Sequence, residues 1–396
     1  MDRWFGASLA LYATFVYKGL KTPIPGMDQD VSSGLDVRLH EFVTADGLTL
    51  RLKRYANPGA VPVLLTHGFG GNGFTMDLPR VGHNMAVYLA RRGCDVWVSS
   101  FRGCGRAPYL SEGGDWSHSF DHLAIYDASA LVDGITQETG RKVFWVGHSM
   151  GGIVLYMYLQ GVRFAGDGHV VSDPALVRDR HDKLLGGATL GAATVLCWPY
   201  NDPSSVGMSS EFGRQLARSE VEILRIKEEV TPRVTGMGGP DGLPHRHPRL
   251  AMAITRSPFA AGAYNRVNMD KETTMCLARW GTDDVSTAMW VQRVYGVIDG
   301  HLTQYPSVPR GSLYDYAANI PLVSLPILFI TGDHDHGPAI IKRYAYGCVS
   351  SEMKEFLQLP EYGHIDLLMG KHVERDVYPA ISSWIEKVEL ASRARQ

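Results

Sequence analysis

Cysteine is scarce in this chain and follows no pattern. Cys94, Cys104, Cys197, Cys276 and Cys348 are widely scattered, odd in number and without a C-x-x-C pair. That argues against a disulfide framework or a zinc ribbon and fits reduced thiols in a cytoplasmic protein. An excess of charge is missing too: 39 basic residues face 41 acidic ones, for a net charge of -2. The electrostatic footprint of a nucleic-acid-binding protein is therefore absent. Long apolar runs are also lacking. The best candidate, Trp4–Tyr17, is uncharged and mostly apolar, but at about 1.5 Å per residue it falls short of a hydrocarbon core of roughly 30 Å. It has neither the basic start nor the cleavage site of a secretory leader. It reads as a helix packed on the body or lying on a membrane surface, which would make a peripheral membrane contact. Metal-ligand patterns are weak: His245 and His247 sit in a loop of prolines and glycines, and His334 and His336 flank an aspartate with another use. No metal and no cofactor is expected.

What the chain does have is enough apolar residue to bury a large core: 45% of 396 residues are hydrophobic and 20% are charged, which suits a globular enzyme. His40–Tyr55 reads as a hairpin around the tight-turn pair Asp46-Gly47. Val61–Thr66 reads as a buried strand and Asn84–Arg92 as a helix. Cys94–Ser99 is another strand, Phe120–Thr139 a helix, Val143–Val146 a strand, and Ile153–Gln160 a helix. Leu184–Leu190, Ile327–Thr331 and Glu355–Leu359 are further strands, and Val373–Val388 is a closing helix. Strands alternating with helices predict an α/β fold with a doubly wound, mostly parallel sheet. Between Leu190 and Ile327 the alternation stops. A structureless loop of that length is implausible in a compact domain, so a mostly helical lid is expected there. Phe212–Val230 would be one of its helices and Gly236–Pro248 a loop. The expected organisation is an N-terminal apolar segment over 1–30, a core over 31–193, the lid over 194–320 and the rest of the core over 321–396.

The organising stretch is Val143–Gly152, V-F-W-V-G-H-S-M-G-G. A strand runs into a sharp turn that opens a helix, with Gly147 and Gly151 two places before and after Ser149. A strained turn of that kind admits only small residues at those places and lifts the serine hydroxyl clear of the sheet, as in the G-x-S-x-G nucleophile elbow of α/β-hydrolases. Serine needs a base. His364, in the loop after Glu355–Leu359, is the candidate, and Asp335, just after Ile327–Thr331, is placed to fix its tautomer. The order Ser149, Asp335, His364 is the order of this fold. Two other carboxylates compete. Asp333 comes one step early and is expected to bond backbone in its turn, while Asp366 is expected to point into the following helix. For the oxyanion, the backbone N–H groups of Met150 and of Phe69, in His67-Gly68-Phe69, are the candidate donors. The spacing His122-x-x-x-x-Asp127, shared with some acyltransferases, reads as fortuitous on its helix.

On these residues the chain resembles the acid-lipase branch of the α/β-hydrolase superfamily, the group of gastric and lysosomal lipases. The resemblance rests on His67-Gly68-Phe69, Ser119-Phe120-Asp121 with Tyr126-Asp127, Gly147–Gly151, Gly332–Asp335, and Tyr362–Leu367 followed by Gly370. It covers the body and not the lid. In that branch the aspartate of the glycine-x-x-aspartate run supplies the acid, which implies Asp335. Met150 departs from the glutamine usual after the nucleophile, and the cysteine pattern does not suit a secreted enzyme. The resemblance therefore implies an intracellular relative rather than a digestive one.

The lid is rich in large side chains, among them Trp198, Tyr200, Phe212, Phe259, Trp280, Trp290, Met208, Met237, Met252, Met275 and Met289. Most of them should form the lid's own core, and the surplus favours a bulky apolar substrate. The expected function is a serine carboxylic-ester hydrolase acting on a lipophilic small-molecule ester through an acyl-enzyme. The same triad would serve an acyltransferase or a lactone or C–C bond hydrolase. A non-catalytic binding protein would normally have lost a member of it.

Overall fold

The computed structural model describes residues 29–195, 264–305, 313–335 and 337–394, with short pieces at 197–198, 207–208 and 233–234 and isolated residues between 215 and 222. The apolar segment Trp4–Tyr17, most of Phe212–Val230, the Gly236–Pro248 loop with His245 and His247, and His336 lie outside the described residues. So do Tyr200, Phe259, Met237 and Met252, and the side chains of Trp198 and Met208.

The body is an eight-stranded sheet. Its strands are β1 (Val37–Val43), β2 (Thr49–Tyr55), β3 (Pro62–Thr66), β4 (Asp95–Ser99) and β5 (Val143–His148). A short hairpin, β6 (Val162–Phe164) with β7 (Val170–Ser172), stands apart from it. The sheet continues with β8 (Leu184–Leu190), β9 (Ile327–Gly332) and β10 (Lys354–Leu359). The spatial order is β1-β2-β4-β3-β5-β8-β9-β10, and β2 alone runs against the other strands. The hairpin turn follows from its residues: Gly47 takes φ +88°, and the Thr44 hydroxyl donates to Asp46 Oδ1 at 2.6 Å.

Helices cover both faces. Val143 and Trp145 of β5 face the side of α2 (Phe120–His122, Leu123–Asp127 and Ala128–Thr139, the middle piece a wider π-type turn) and of α3 (Met150–Leu159). Phe144 and Val146 face the other side, with α1 (Met85–Arg91) and the C-terminal helix Tyr378–Arg393. A strand buried on both faces reads as an unbroken apolar run, and this one does. Helix ends also obey local chemistry. Asn84 caps α1 by accepting from Val87 N–H at 2.8 Å, and Gly140 ends α2 in the left-handed region at φ +66°.

Two expectations need correction. Val373–Val388 is not one helix: a short piece, Val373–Asp376, is followed by Tyr378–Arg393, with Pro379 in the first turn of the second. Proline has no N–H to continue the first piece. The sequence reading also left 162–183 unassigned. There the chain forms the β6–β7 hairpin and α4 (Pro174–Lys183), capped by Asp173, which accepts from Ala175 N–H at 2.9 Å. Asp-Pro at a helix start was a legible signal.

Within 194–320 the described residues form α5 (Lys271–Trp280) and α6 (Thr287–Asp299). Met275 and Met289 are buried there as filling, whereas Trp280 packs its ring against Phe74 at 5.4 Å. Cys94, Cys104 and Cys348 carry free thiols. No helix among the described residues is long and apolar enough to cross a membrane.

Candidate active site

Ser149 sits between β5 and α3 at φ +50°, ψ −113°, a conformation that L residues avoid. Its neighbours explain how the strain is held. A Cβ on Gly147 would lie 2.5 Å from the Gly151 carbonyl carbon, and one on Gly151 would lie 2.5 Å from Thr66 Oγ1. Only glycine fits either place. Trp145, fully buried, donates its indole N–H to Thr66 Oγ1 at 2.8 Å and to the Gly151 carbonyl at 3.2 Å, so the core side chain beneath the turn also pins it. The Ser149 N–H donates to the Leu190 carbonyl at 2.8 Å and ties the turn to β8.

Asp335 and His364 come together although they lie on different loops. His364 Nδ1 is 2.7 Å from Asp335 Oδ1, and the carboxylate is nearly inaccessible. The Thr331 hydroxyl donates to Asp335 Oδ2 at 3.1 Å, which leaves Oδ1 for the imidazole. Asp333, the competitor, is exposed beside His334, with Oδ1 3.7 Å from Nε2 of that ring, and only its N–H makes the turn bond, to the Leu359 carbonyl at 3.0 Å. The expectation that its side chain bonds backbone is not met. Asp366 differs as well. Instead of pointing along its helix, its Oδ2 accepts from Gly363 N–H and from Asn265 N–H, each at 3.0 Å. It braces the loop that carries His364, and burial pushes its carboxyl up to about 6 against the pull of those two bonds.

His67 is structural. Its Nε2 accepts from Phe101 N–H at 3.1 Å and its Nδ1 lies 2.9 Å from the Gly68 carbonyl, so the ring is neutral with its proton on Nδ1. Burial accordingly lowers its pKa to about 4. The bond shapes the turn that presents Phe69. A Cβ on Gly68 would stand 2.8 Å from His148 Nδ1 and 3.2 Å from Ser149 Cβ, so that loop lies directly over the serine. Met150, the other expected oxyanion donor, opens α3, where first-turn N–H groups have no partner within the helix.

His122 and Asp127 do not form a catalytic pair. Asp127 accepts from the Arg102 side chain at 2.7 Å and from its N–H at 3.0 Å, and His122 Nδ1 accepts from Ser119 N–H at 3.2 Å. Asp121 of the same stretch is a buried hub, accepting from Tyr316 Oη at 2.5 Å, Tyr305 N–H at 2.8 Å, Ser119 Oγ at 3.0 Å and Gln292 Nε2 at 3.1 Å. It binds α2 to residues beyond 290.

Three residues near the site escaped the sequence reading. Gly191, at φ +62°, passes so close that a Cβ there would lie 2.7 Å from His364 Nδ1 and 2.8 Å from Asp335 Oδ2. His148 lays its ring 4.6 Å from that of His364. Asn265 donates through Nδ2 to the Glu361 carbonyl at 2.8 Å. A glycine directly after a strand was a weak signal for the first. The others had none, because their partners lie 216 and 96 residues away.

Ser149, Asp335 and His364 line one cavity of about 450 Å³, as do Phe69 and Met150, with Ile153, Trp290, Leu302, Ile340 and Ile341 among the apolar residues. Phe69 stacks on Phe120 at 6.1 Å and meets the edge of Trp290 at 5.6 Å. Among the described residues no group of three His, Cys, Asp or Glu side chains is arranged to hold a metal.

A doubly wound sheet with a strained serine turn at the end of its central strand defines an α/β-hydrolase. The chain belongs to the serine aminopeptidase, S33 family, whose profile matches residues 59–299, more than half of its length. It is similar to triacylglycerol lipase 2 of Arabidopsis thaliana, at 22% identity over 384 residues, covering 88% of this chain and 84% of that one. It is similar to human gastric triacylglycerol lipase at 36% identity over 128 residues, covering 28% of this chain and 32% of the lipase. Among solved structures it resembles a hypothetical protein from Pseudomonas aeruginosa, with a TM-score of 0.55, 16% identity, and coverage of 92% of this chain and 98% of that one. It also resembles the monoacylglycerol lipase of Paleococcus ferrophilus, with a TM-score of 0.51, 17% identity, and coverage of 86% and 99%. These structural likenesses establish the fold, and the protein is a lipase-like hydrolase.

Proposed function

We propose that the protein is a serine carboxylic-ester hydrolase acting on a lipophilic ester through an acyl-enzyme on Ser149. The observation that carries this reading is the 2.7 Å contact of Asp335 with His364 in the same mainly apolar cavity as Ser149. In the proposed reaction the Ser149 hydroxyl attacks the ester carbonyl and His364 Nε2 takes its proton. Asp335 stabilises the imidazolium through Nδ1–H. The N–H groups of Phe69 and Met150 receive the oxyanion. Collapse breaks the C–O bond, His364 returns the proton to the leaving alcohol, and water repeats the sequence to release the acid. The 194–320 segment would cover the site as a lid.

The family description raises a peptidase reading. An aminopeptidase needs a carboxylate aimed into the cavity to hold the substrate ammonium. Of the described lining residues only Asp283 and Asp335 carry one, and Asp283 is engaged by Arg106, Gly105 and Asn72. An ester reading suits these walls better. A cytoplasmic place of action belongs to the same proposal and is supported by the free thiols.

A labelled fluorophosphonate should attach to Ser149, and a panel of p-nitrophenyl esters should show at least about a tenfold higher kcat/KM for octanoate than for acetate, given ~0.8 kcal/mol per buried methylene. A preference for acetate, or labelling elsewhere, would refute the proposal.

A further inference from the structure

The loop after β3 poses a physical problem. A donor aimed at an oxyanion must be held to within a few tenths of an ångström, yet Phe69 is flanked by Gly68, Gly70 and Gly71, the residues least able to hold a backbone conformation by themselves. Within the loop the Gly71 N–H donates to the Gly68 carbonyl at 3.1 Å and His67 bonds the Gly68 carbonyl, but neither bond reaches Gly70, whose hold comes from outside the loop.

It comes from the turn between α5 and α6. Asp283 N–H donates to the Gly70 carbonyl at 2.8 Å, and Gly71 and Thr282 are bridge partners. The Asp283 carboxylate, itself buried, completes the brace. Oδ2 accepts from Asn72 Nδ2 at 2.8 Å and from Gly105 N–H at 2.7 Å, and Oδ1 accepts from Arg106 Nη1 at 2.7 Å. Asn72 Nδ2 also donates to the Trp280 carbonyl at 2.9 Å, and Arg106 Nη2 to the Thr282 carbonyl at 2.7 Å. One carboxylate thus joins three segments remote in sequence: the glycine loop, the loop after β4, and the α5–α6 turn.

We infer that Asp283 is a positioning residue for the oxyanion loop, holding the Phe69 N–H through Gly70 and Asn72, with Arg106 as its counter-ion. This rests on the proposed role of that N–H in ester hydrolysis. It has a consequence for the segment around the cavity. The part next to Asp283 is then a fixed buttress of the active site.

The test uses the full chain, a p-nitrophenyl ester and an alkyl trifluoromethyl ketone, which adds Ser149 and places an alkoxide where the oxyanion forms. Asp283→Asn keeps the shape, removes the charge and sets an amide N–H against a donor. It should lower kcat by about 10-fold to 100-fold with KM within about threefold. The ketone Ki should rise by the same factor as kcat/KM falls. Arg106→Lys, which keeps the Asp283 bonds to Gly105 and Asn72, should fall on the same line with a smaller loss, and it decides the matter if Asp283→Asn does not fold. Mere destabilisation would lower the unfolding midpoint and leave the kinetic constants and Ki of the folded enzyme unchanged, which would overturn the inference. So would a rise in KM with kcat intact, since Asp283 would then be a substrate contact. If the wild-type protein is not inhibited by the ketone, the reading of the site fails and the inference with it. If the wild type is inhibited and both variants match it, only the inference fails.

Discussion

Gly191→Ala is a severe test of the proposed triad, because it alters none of its members. The added methyl would stand 2.7 Å from His364 Nδ1 and 2.8 Å from Asp335 Oδ2. Ordinary contacts begin near 3.5 Å, so the pair must yield by roughly 0.7 Å. A displacement of that size stretches the present 2.7 Å bond to roughly 3.4 Å, beyond useful hydrogen-bond length. Misplacing a catalytic group by about 1 Å costs on the order of 100-fold, and losing the aspartate's hold on the histidine tautomer costs up to about 10,000-fold, so kcat should fall between those limits. Stability should fall much less. At φ +62° alanine costs about 1 kcal/mol, which lowers the unfolding midpoint by only a few degrees. Steady-state hydrolysis of a p-nitrophenyl ester, with calorimetry on the same preparation, measures both. A Gly191→Ala protein with kcat within threefold of wild type would refute the assignment of Asp335 and His364 as the working pair.

Further outcomes are expected from the same site. Ser149→Ala and His364→Ala should each abolish nearly all turnover, and the double variant should lose little more, because the groups act as a unit; additive losses in a steady-state assay would contradict this. Asp335→Asn should cut kcat by several orders of magnitude, whereas Asp333→Asn, at an exposed position, should leave it within a few-fold, and the reverse ranking would show that the wrong carboxylate was chosen. Asp366 carries a pH signature. Its carboxyl is held at about 6 in the fold against about 3.9 in an unfolded chain, so the fold binds the extra proton and stability falls as pH rises across that window. The drop is on the order of 3 kcal/mol. Asp366→Asn, which still offers an oxygen to Gly363 and Asn265, should flatten that slope in unfolding midpoints between pH 4 and about 7; an unchanged slope would place the titration elsewhere.

Much of this architecture was legible because its causes are local. The 45–47 turn, the unbroken apolar run of β5, the Asn84 cap and the glycine that ends α2 each act within a few residues. The places where sequence reading failed were also local in part. Asp173-Pro174 is a local signal for the helix it opens, and Pro379 is one for the break before the last helix. The roles of Asp283, Gly191 and His148 were hidden for another reason. Their partners are brought near only by strand order, since β3, β5, β8 and β9 lie side by side and collect loops from across the chain at one sheet edge.

The sequence by itself determined the strained serine turn and the helix that follows it, because the steric demand at Gly147 and the apolar run before it are properties of a few neighbouring positions. Only the tertiary structure shows how differently the two candidate carboxylates are placed. Asp333 and Asp335 differ by two places in the chain, but one faces solvent and the other is buried against His364. Only the tertiary structure, likewise, placed Asp283 beneath the glycine loop. Hydrogen bonds between distant segments depend on register and packing, which no local pattern encodes.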